Sequence, residues 1–192
     1  MKLDGFSKDY FSQLNNVLDA LDAQALQKVG GLLRAAYLDG KNIFILGNGG
    51  SAACATHWVC DFNKGVNVPG RPRAKVFSLS DNTGIVTALG NDISYDEIFA
   101  YQLENFCQPG DVVLALSVSG NSPNLVRGLE CAASHGCKTA AIIGDYNGKI
   151  GGMADVCLTI PSRNYGVVED VHLILNHVFS QCLKMENQEA VG

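Results

Sequence analysis

The chain has 192 residues, of which 47% are hydrophobic and 17% charged, with a formal charge of -5 at pH 7. This length suits one globular domain with a sizeable core, and the composition excludes a disordered or collagen-like chain. The acidic balance argues against nucleic acid as the primary partner, so a phosphate-bearing ligand must be held by a specific pocket.

No apolar run approaches the roughly 20 residues of a membrane helix, and the opening MKLDGFSKDYF lacks the apolar stretch of a signal peptide. A cytoplasmic protein without membrane attachment is expected. The seven cysteines are scattered and include no CxxC pair, which reads as small apolar side chains in a reducing compartment. Only Cys54 and Cys60 draw attention, because they flank the position of His57.

In the first forty residues, apolar side chains recur at helical spacing from Phe6 to Ala36. This predicts two helices, or one broken near residues 19–22. Beyond Asp39-Gly40 the pattern becomes a series of short apolar runs at 42–47, 75–79, 111–117, 138–143 and 155–160. Helical stretches at 51–63, 82–90, 95–106, 123–134 and 166–184 separate or follow them. This alternation predicts an α/β fold with a doubly wound, five-stranded parallel sheet, preceded by the N-terminal helices. Ligands of such sheets bind beyond the carboxyl ends of the strands, where helix N-termini point.

Two strand ends carry loops suited to anions. The first strand runs into Gly47-Asn48-Gly49-Gly50-Ser51, where glycines bring backbone N–H groups close to a ligand and Ser51 is placed to cap the next helix. The loop also fits a loose G-x-G-x-x-A dinucleotide pattern, with Asp81 as the only acidic partner available after the second strand. The third strand runs into Ser117-Val118-Ser119-Gly120-Asn121-Ser122-Pro123. Pro123 suits a first helical turn and Ser122 its N-cap; Ser117, Ser119 and Asn121 have no such structural explanation. Hydroxyls converging on a positive helix end make a phosphate cradle without lysine or arginine. A second anion loop at this strand favours a small phosphorylated metabolite over a nucleotide cofactor.

The remaining chemistry lies on two helices. His57 and Asp61 are four residues apart and share a helix face. In the last helix Glu169, His172 and His177 interrupt a surface that is otherwise apolar around most of its circumference, and a buried acid or imidazole there needs a partner or a metal. His172 is expected in a structural or intersubunit hydrogen bond. Two histidines and two carboxylates at helical spacings suit a divalent metal, and equally suit proton transfer at carbon and oxygen.

The motifs GNGGSAA, LGNDISYDEIF, ALSVSGNSPNL, IIGDYNGKIGGMADVCLTIP and VVEDVHLILNH together resemble the sugar isomerase (SIS) domain family in its phosphoheptose isomerase form. The resemblance implies one flavodoxin-like SIS domain over residues 1–192. Residues 1–39 would be a helical oligomerisation segment, and 40–192 the α/β core with its C-terminal helix. It further implies a homotetramer and the conversion of sedoheptulose 7-phosphate to glycero-manno-heptose 7-phosphate through an enediol. Substrate contacts would come from Asn48, Gly49, Gly50, Ser51, Asp81, Asn91, Asp92, Ser117, Ser119, Asn121 and Ser122. Catalysis would fall to Asp61, Glu169 and His177, and zinc or a similar ion would be held by His57, Asp61, Glu169 and His177.

The chain departs from that pattern where Asp61 replaces a Glu and Glu169 a Gln. The Asp and Arg that precede that Gln in the family are replaced around Gly166-Val167, and Gly65, with Lys64 beside it, takes the place of a further Arg. Either Glu169 or Asp61 then serves as the base at the ketose C1, with His177 as the acid at the carbonyl oxygen. A non-catalytic SIS protein, either a sugar-phosphate sensor or a regulator of the DnaA-initiator-associating type, is the alternative, and a dinucleotide-dependent oxidoreductase ranks last.

Overall fold

The computed structural model describes residues 2–191. The N-terminal region forms α1 (Leu3–Asp19) and α2 (Ala23–Leu38). The break falls where Asp22 caps α2, its carboxylate accepting from the Gln24 and Ala25 amides at 2.8 and 3.1 Å. The apolar runs become β1 (Ile43–Leu46), β2 (Val76–Ser78), β3 (Val112–Ser117), β4 (Lys138–Gly144) and β5 (Val156–Ile160). They pair in the order β2-β1-β3-β4-β5, every neighbour parallel.

The connections are helical. Helix α3 (Gly50–Cys60) continues into a π-helical turn, Asp61–Gly65; α4 (Thr83–Asp92) precedes a short 3-10 turn, Tyr95–Glu97. Then follow α5 (Ala100–Phe106), α6 (Pro123–Ser134), α7 (Lys149–Met153) and the long α8 (Tyr165–Glu189). The single helix expected over 95–106 is therefore two elements. The sequence pattern gave no sign of α7, because five residues containing Gly151-Gly152 carry no periodicity. Among the described residues no helix is long and apolar enough to cross a membrane.

Side chains alternate across the central strand as the pleat requires. Val112, Leu114 and Leu116 enter one apolar layer with residues of α2, α3 and α8. Val113 and Ala115 enter the other with residues of α4, α5, α6 and α7. Both faces are thus covered, as parallel sheets require. Helix α2 buries Val29, Leu33, Ala36 and Tyr37 in the first layer, so residues 1–39 are not a separate appendage: half of that segment belongs to the core. Helix α1 instead leaves Leu3, Phe6 and Phe11 exposed.

His172 is fully buried on α8, and its Nε2–H donates to the Ile142 carbonyl of β4 at 3.1 Å. The residue is structural, tying helix to sheet within one chain. Burial pushes its pKa down from 6.5 to about 4. Between those values the unfolded chain binds a proton that the folded chain refuses, so this contribution is complete above pH 6.5 and is lost as pH falls toward 4. At 1.36 kcal/mol per unit, stability should drop by roughly 2 to 3 kcal/mol between pH 7 and pH 4.5 on this account. Urea unfolding of His172→Gln should show a correspondingly shallower acid loss. Parallel profiles for the two proteins would assign the acid sensitivity elsewhere.

Candidate active site

The helix after β1 packs on one face of the sheet and the helix after β3 on the other. Their loops therefore open a crevice between β1 and β3, the switch point where such folds bind ligands. Both anion loops face each other here. Asn48 and Asn124 join them through a reciprocal amide pair: each Nδ2 donates to the other's Oδ1 at 2.9 Å. Tyr95 adds its hydroxyl to the Asn48 Oδ1 at 3.2 Å.

In the first loop Gly49 has φ +55, a left-handed turn that starts α3 at Gly50. The helix cap is accordingly Gly49, not Ser51, which lies buried within the first turn. The Ser80 hydroxyl donates to the Gly47 carbonyl at 2.7 Å and fastens the end of β2 to this loop. Asp81, next along, lines a groove beside the sheet edge with Phe77 and Phe106. Asn91 and Asp92 are exposed at the end of α4 and bonded to each other at 2.7 Å.

In the second loop Ser117 Oγ accepts from the Gly120 amide at 3.0 Å and Ser119 Oγ from the Asn121 amide at 3.3 Å. Each hydroxyl oxygen accepts one loop amide, and the hydroxyl protons of both serines remain to be donated, which suits an anion. Ser122 occupies the N-cap of α6 without spending its side chain on a cap bond, and Pro123 fills the first helical position. Asn121 behaves otherwise. Its Oδ1 accepts from the Lys149 amide at 2.9 Å and its Nδ2 donates to the Ser119 carbonyl at 3.1 Å. Its side chain ties the loop to the start of α7 and keeps one Nδ2 proton unspent.

Helices α3 and α8 run side by side in the same direction. Gly50 meets Glu169, Trp58 Nε1 donates to the His172 carbonyl at 3.1 Å, and His57 meets His177. At the far end His57 Nε2 lies 3.1 Å from His177 Nε2, and Asp61 Oδ2 lies 3.3 and 3.4 Å from them. The buried Asn176 Nδ2 donates to that same Asp61 oxygen at 2.6 Å, while its own Oδ1 has no partner among the described residues. The cluster is open to solvent, with side-chain exposures of 43% for His57, 25% for Asp61 and 49% for His177.

The donor set fits a divalent cation. Three ligand atoms lie within 4.8 Å of one another. Their separations also match the edges, about 3.3 Å, of a tetrahedron with zinc bonds near 2.0–2.1 Å. Glu169 does not join them. Eight residues separate it from His177, about 12 Å along α8, and its carboxylate is seated over Gly50, where any side chain would collide with it. The expected four-residue cluster is thus a three-residue cluster with a separate carboxylate one helix end away.

Cys54 lies beneath Glu169, its thiol donating to the Glu169 carbonyl at 3.7 Å. Burial, then the Glu169 charge, pushes that thiol up to about 11, which marks it as inert packing. All seven cysteines are free. Sequence reasoning missed Asn124, Asn176 and Tyr95. The one available signal was an asparagine at the second position of α6, where capping no longer explains it.

The SIS domain family model matches residues 9–144. A probable phosphoheptose isomerase of Thermoplasma volcanium is 36% identical over 170 residues, covering 88% of this chain and 86% of its own length. The phosphoheptose isomerase of Aquifex aeolicus is 36% identical over 164 residues, covering 85% of each. The solved phosphoheptose isomerase of Neisseria gonorrhoeae superposes with a TM-score of 0.87 at 25% identity, covering 96% of this chain and 100% of that one. A family model spanning four of the five strands, with relatives this similar over most of their length, leads to one assignment: the chain belongs to the SIS domain family, where its kin are phosphoheptose isomerases.

Proposed function

We infer that this protein is an aldose-ketose isomerase acting on a phosphorylated sugar, most directly sedoheptulose 7-phosphate, which it converts to glycero-manno-heptose 7-phosphate. The carrying observation is that α3, which leaves the first anion loop, meets α8 at two chemically active places: Gly50 against the Glu169 carboxylate, and His57 and Asp61 against His177. A sensor needs the loops alone; a carboxylate and two imidazoles farther along suit proton transfer.

The phosphoryl group is assigned to Ser117, Ser119 and Ser122 at the N-terminus of α6, with Asn48, Gly49 and Gly50 closing the opposite side. Asp81, Asn91, Asp92 and Ser51 are assigned to the rim of the pocket. Asp61, through the carboxylate oxygen that the imidazoles leave free, takes the proton from C1 of the ketose and returns it to C2. His177 beside it gives a proton to the C2 carbonyl oxygen while the C1 hydroxyl loses one, so that the double bond to oxygen passes from C2 to C1 through an enediol. His57 orients that end of the sugar, and Glu169, about 12 Å away along α8, the end nearer the anion loops. His57, Asp61 and His177 would hold a zinc-type ion, which when bound would polarise the ketose carbonyl. No nucleotide cofactor enters this reading.

The exposed Leu3, Phe6 and Phe11 of α1 and Val178 and Met185 of α8 support a homo-oligomer, which the resemblance makes a tetramer. Light scattering at micromolar concentration should give a mass several times 20.4 kDa; a stable monomer would refute this part. For the reaction, wild type should exchange the C1 proton of sedoheptulose 7-phosphate with deuterated water. Asp61→Asn should slow that exchange by roughly 100- to 10,000-fold, the usual worth of a general base. Survival of exchange in Asp61→Asn together with collapse in Glu169→Gln would hand the role to Glu169. Ser119→Ala should weaken sugar-phosphate binding roughly tenfold, the worth of one hydrogen bond to a charged group. Unchanged affinity would show the phosphate to be misplaced.

A further inference from the structure

Asn124 is 1% exposed, a buried amide in the first turn of a helix whose neighbouring positions, Leu125 and Val126, pack into the apolar core. Such a group is costly unless its hydrogen bonds are made, and those bonds go across the crevice to Asn48. Counting donors and acceptors shows what the bridge does. The Asn48 Oδ1 has two lone pairs, one taken by Asn124 Nδ2 and the other by the Tyr95 hydroxyl. The Asn48 Nδ2 has two protons, and only one is given to Asn124 Oδ1. Asn48 therefore presents the crevice with a donor and no acceptor. Turning its amide over alone would set nitrogen against nitrogen and oxygen against oxygen in the pair with Asn124, and turning both would forfeit the bond that the Tyr95 hydroxyl donates to Asn48 Oδ1.

We propose that Asn124 and Tyr95 are positioning residues that lock the Asn48 amide as a donor to a phosphoryl oxygen of the bound sugar phosphate. This rests on the reading of the serine loop as the phosphate site. Residues 117–124 include no lysine or arginine, so the cradle must collect neutral donors, each already oriented before the ligand arrives. Ser117 and Ser119 supply hydroxyl protons, one lone pair of each oxygen being held by a loop amide; Asn48 supplies another, both lone pairs of its oxygen being held by Asn124 and Tyr95. The protons left over at all three favour a ligand group that accepts. The Asn48 amide lies at the loops and the His57–His177 pair at the far end of α3, so the contact bears on binding and not on proton transfer.

The test is a set of single and double variants assayed for KM, kcat and the dissociation constant of inorganic phosphate. Asn124→Ala should raise KM and the phosphate dissociation constant about 5- to 20-fold and leave kcat within about twofold, the pattern of lost uniform binding. Tyr95→Phe, at an exposed hydroxyl, should raise both about 2- to 4-fold, and it tests the proposal even if the buried site tolerates no change. In an Asn48→Ala background each of these changes should add less than twofold, because their effect passes through Asn48. Full additional losses in that background, or a fall in kcat at constant phosphate affinity, would overturn the proposal. If wild type fails to exchange the C1 proton, the isomerase reading fails. The phosphate constants of the same variants still decide whether Asn124 and Tyr95 act through Asn48.

Discussion

The arrangement depends above all on the parallel packing of α3 against α8. Trp58, fully buried, stands at the centre of that contact. Its ring stacks on Phe62 at 5.7 Å with planes 1° apart, meets Phe179 at 5.9 Å, and donates its indole N–H to the His172 carbonyl. Truncating an aromatic side chain buried this completely costs about 3 to 5 kcal/mol. On one side of this anchor Glu169 rests over Gly50; on the other His57 and Asp61 reach His177. Each contact is made by residues whose own helix gives them no reason to meet, so their distances are set by where the indole holds the two helices.

Phosphate binding and proton transfer make opposite electrostatic demands. An acidic protein that takes a phosphate must avoid aiming carboxylates at it, and the loop after β3 contains none. Its positive character comes from backbone N–H groups at the start of α6 and from serine protons. The carboxylates that chemistry requires, Glu169 and Asp61, sit on the other two helices. Two imidazoles and the Asn176 amide surround Asp61, so that its charge is shared before any ligand arrives.

Much of this was legible in the sequence because it is local. A strand buried on both faces reads as an apolar run, and the runs ending at Leu46, Ser117 and Ile143 are such strands. His57 and Asp61 could be paired from spacing alone, since four residues make about one helical turn. The failures are equally physical. Angular position suggested that Glu169 and His177 share a pocket, but the rise along the helix separates them. Asn124, Asn176 and Tyr95 act through partners 76, 115 and 47 positions away, and no local pattern marks such a partner. Ser51 looked like a cap because its type fits, whereas the backbone of Gly49 had already fixed where the helix starts.

The π-helical turn at Asp61–Gly65 closes with the Val66 amide bonded to the Asp61 carbonyl, one residue wider than an α-helical turn. Such a widening is equivalent to one inserted residue, and it lies immediately beyond the last side chain of the cluster. Everything upstream keeps α-helical register with His57, whereas everything downstream is turned by about 100°. The loop from Val66 to Ala74 that returns the chain to β2 begins in that turned frame. A lineage could therefore lengthen, shorten or redirect this loop by adding or losing a single residue after Asp61, leaving the histidine–carboxylate geometry intact. The turn separates the part of the helix that chemistry constrains from the part that is free to change shape.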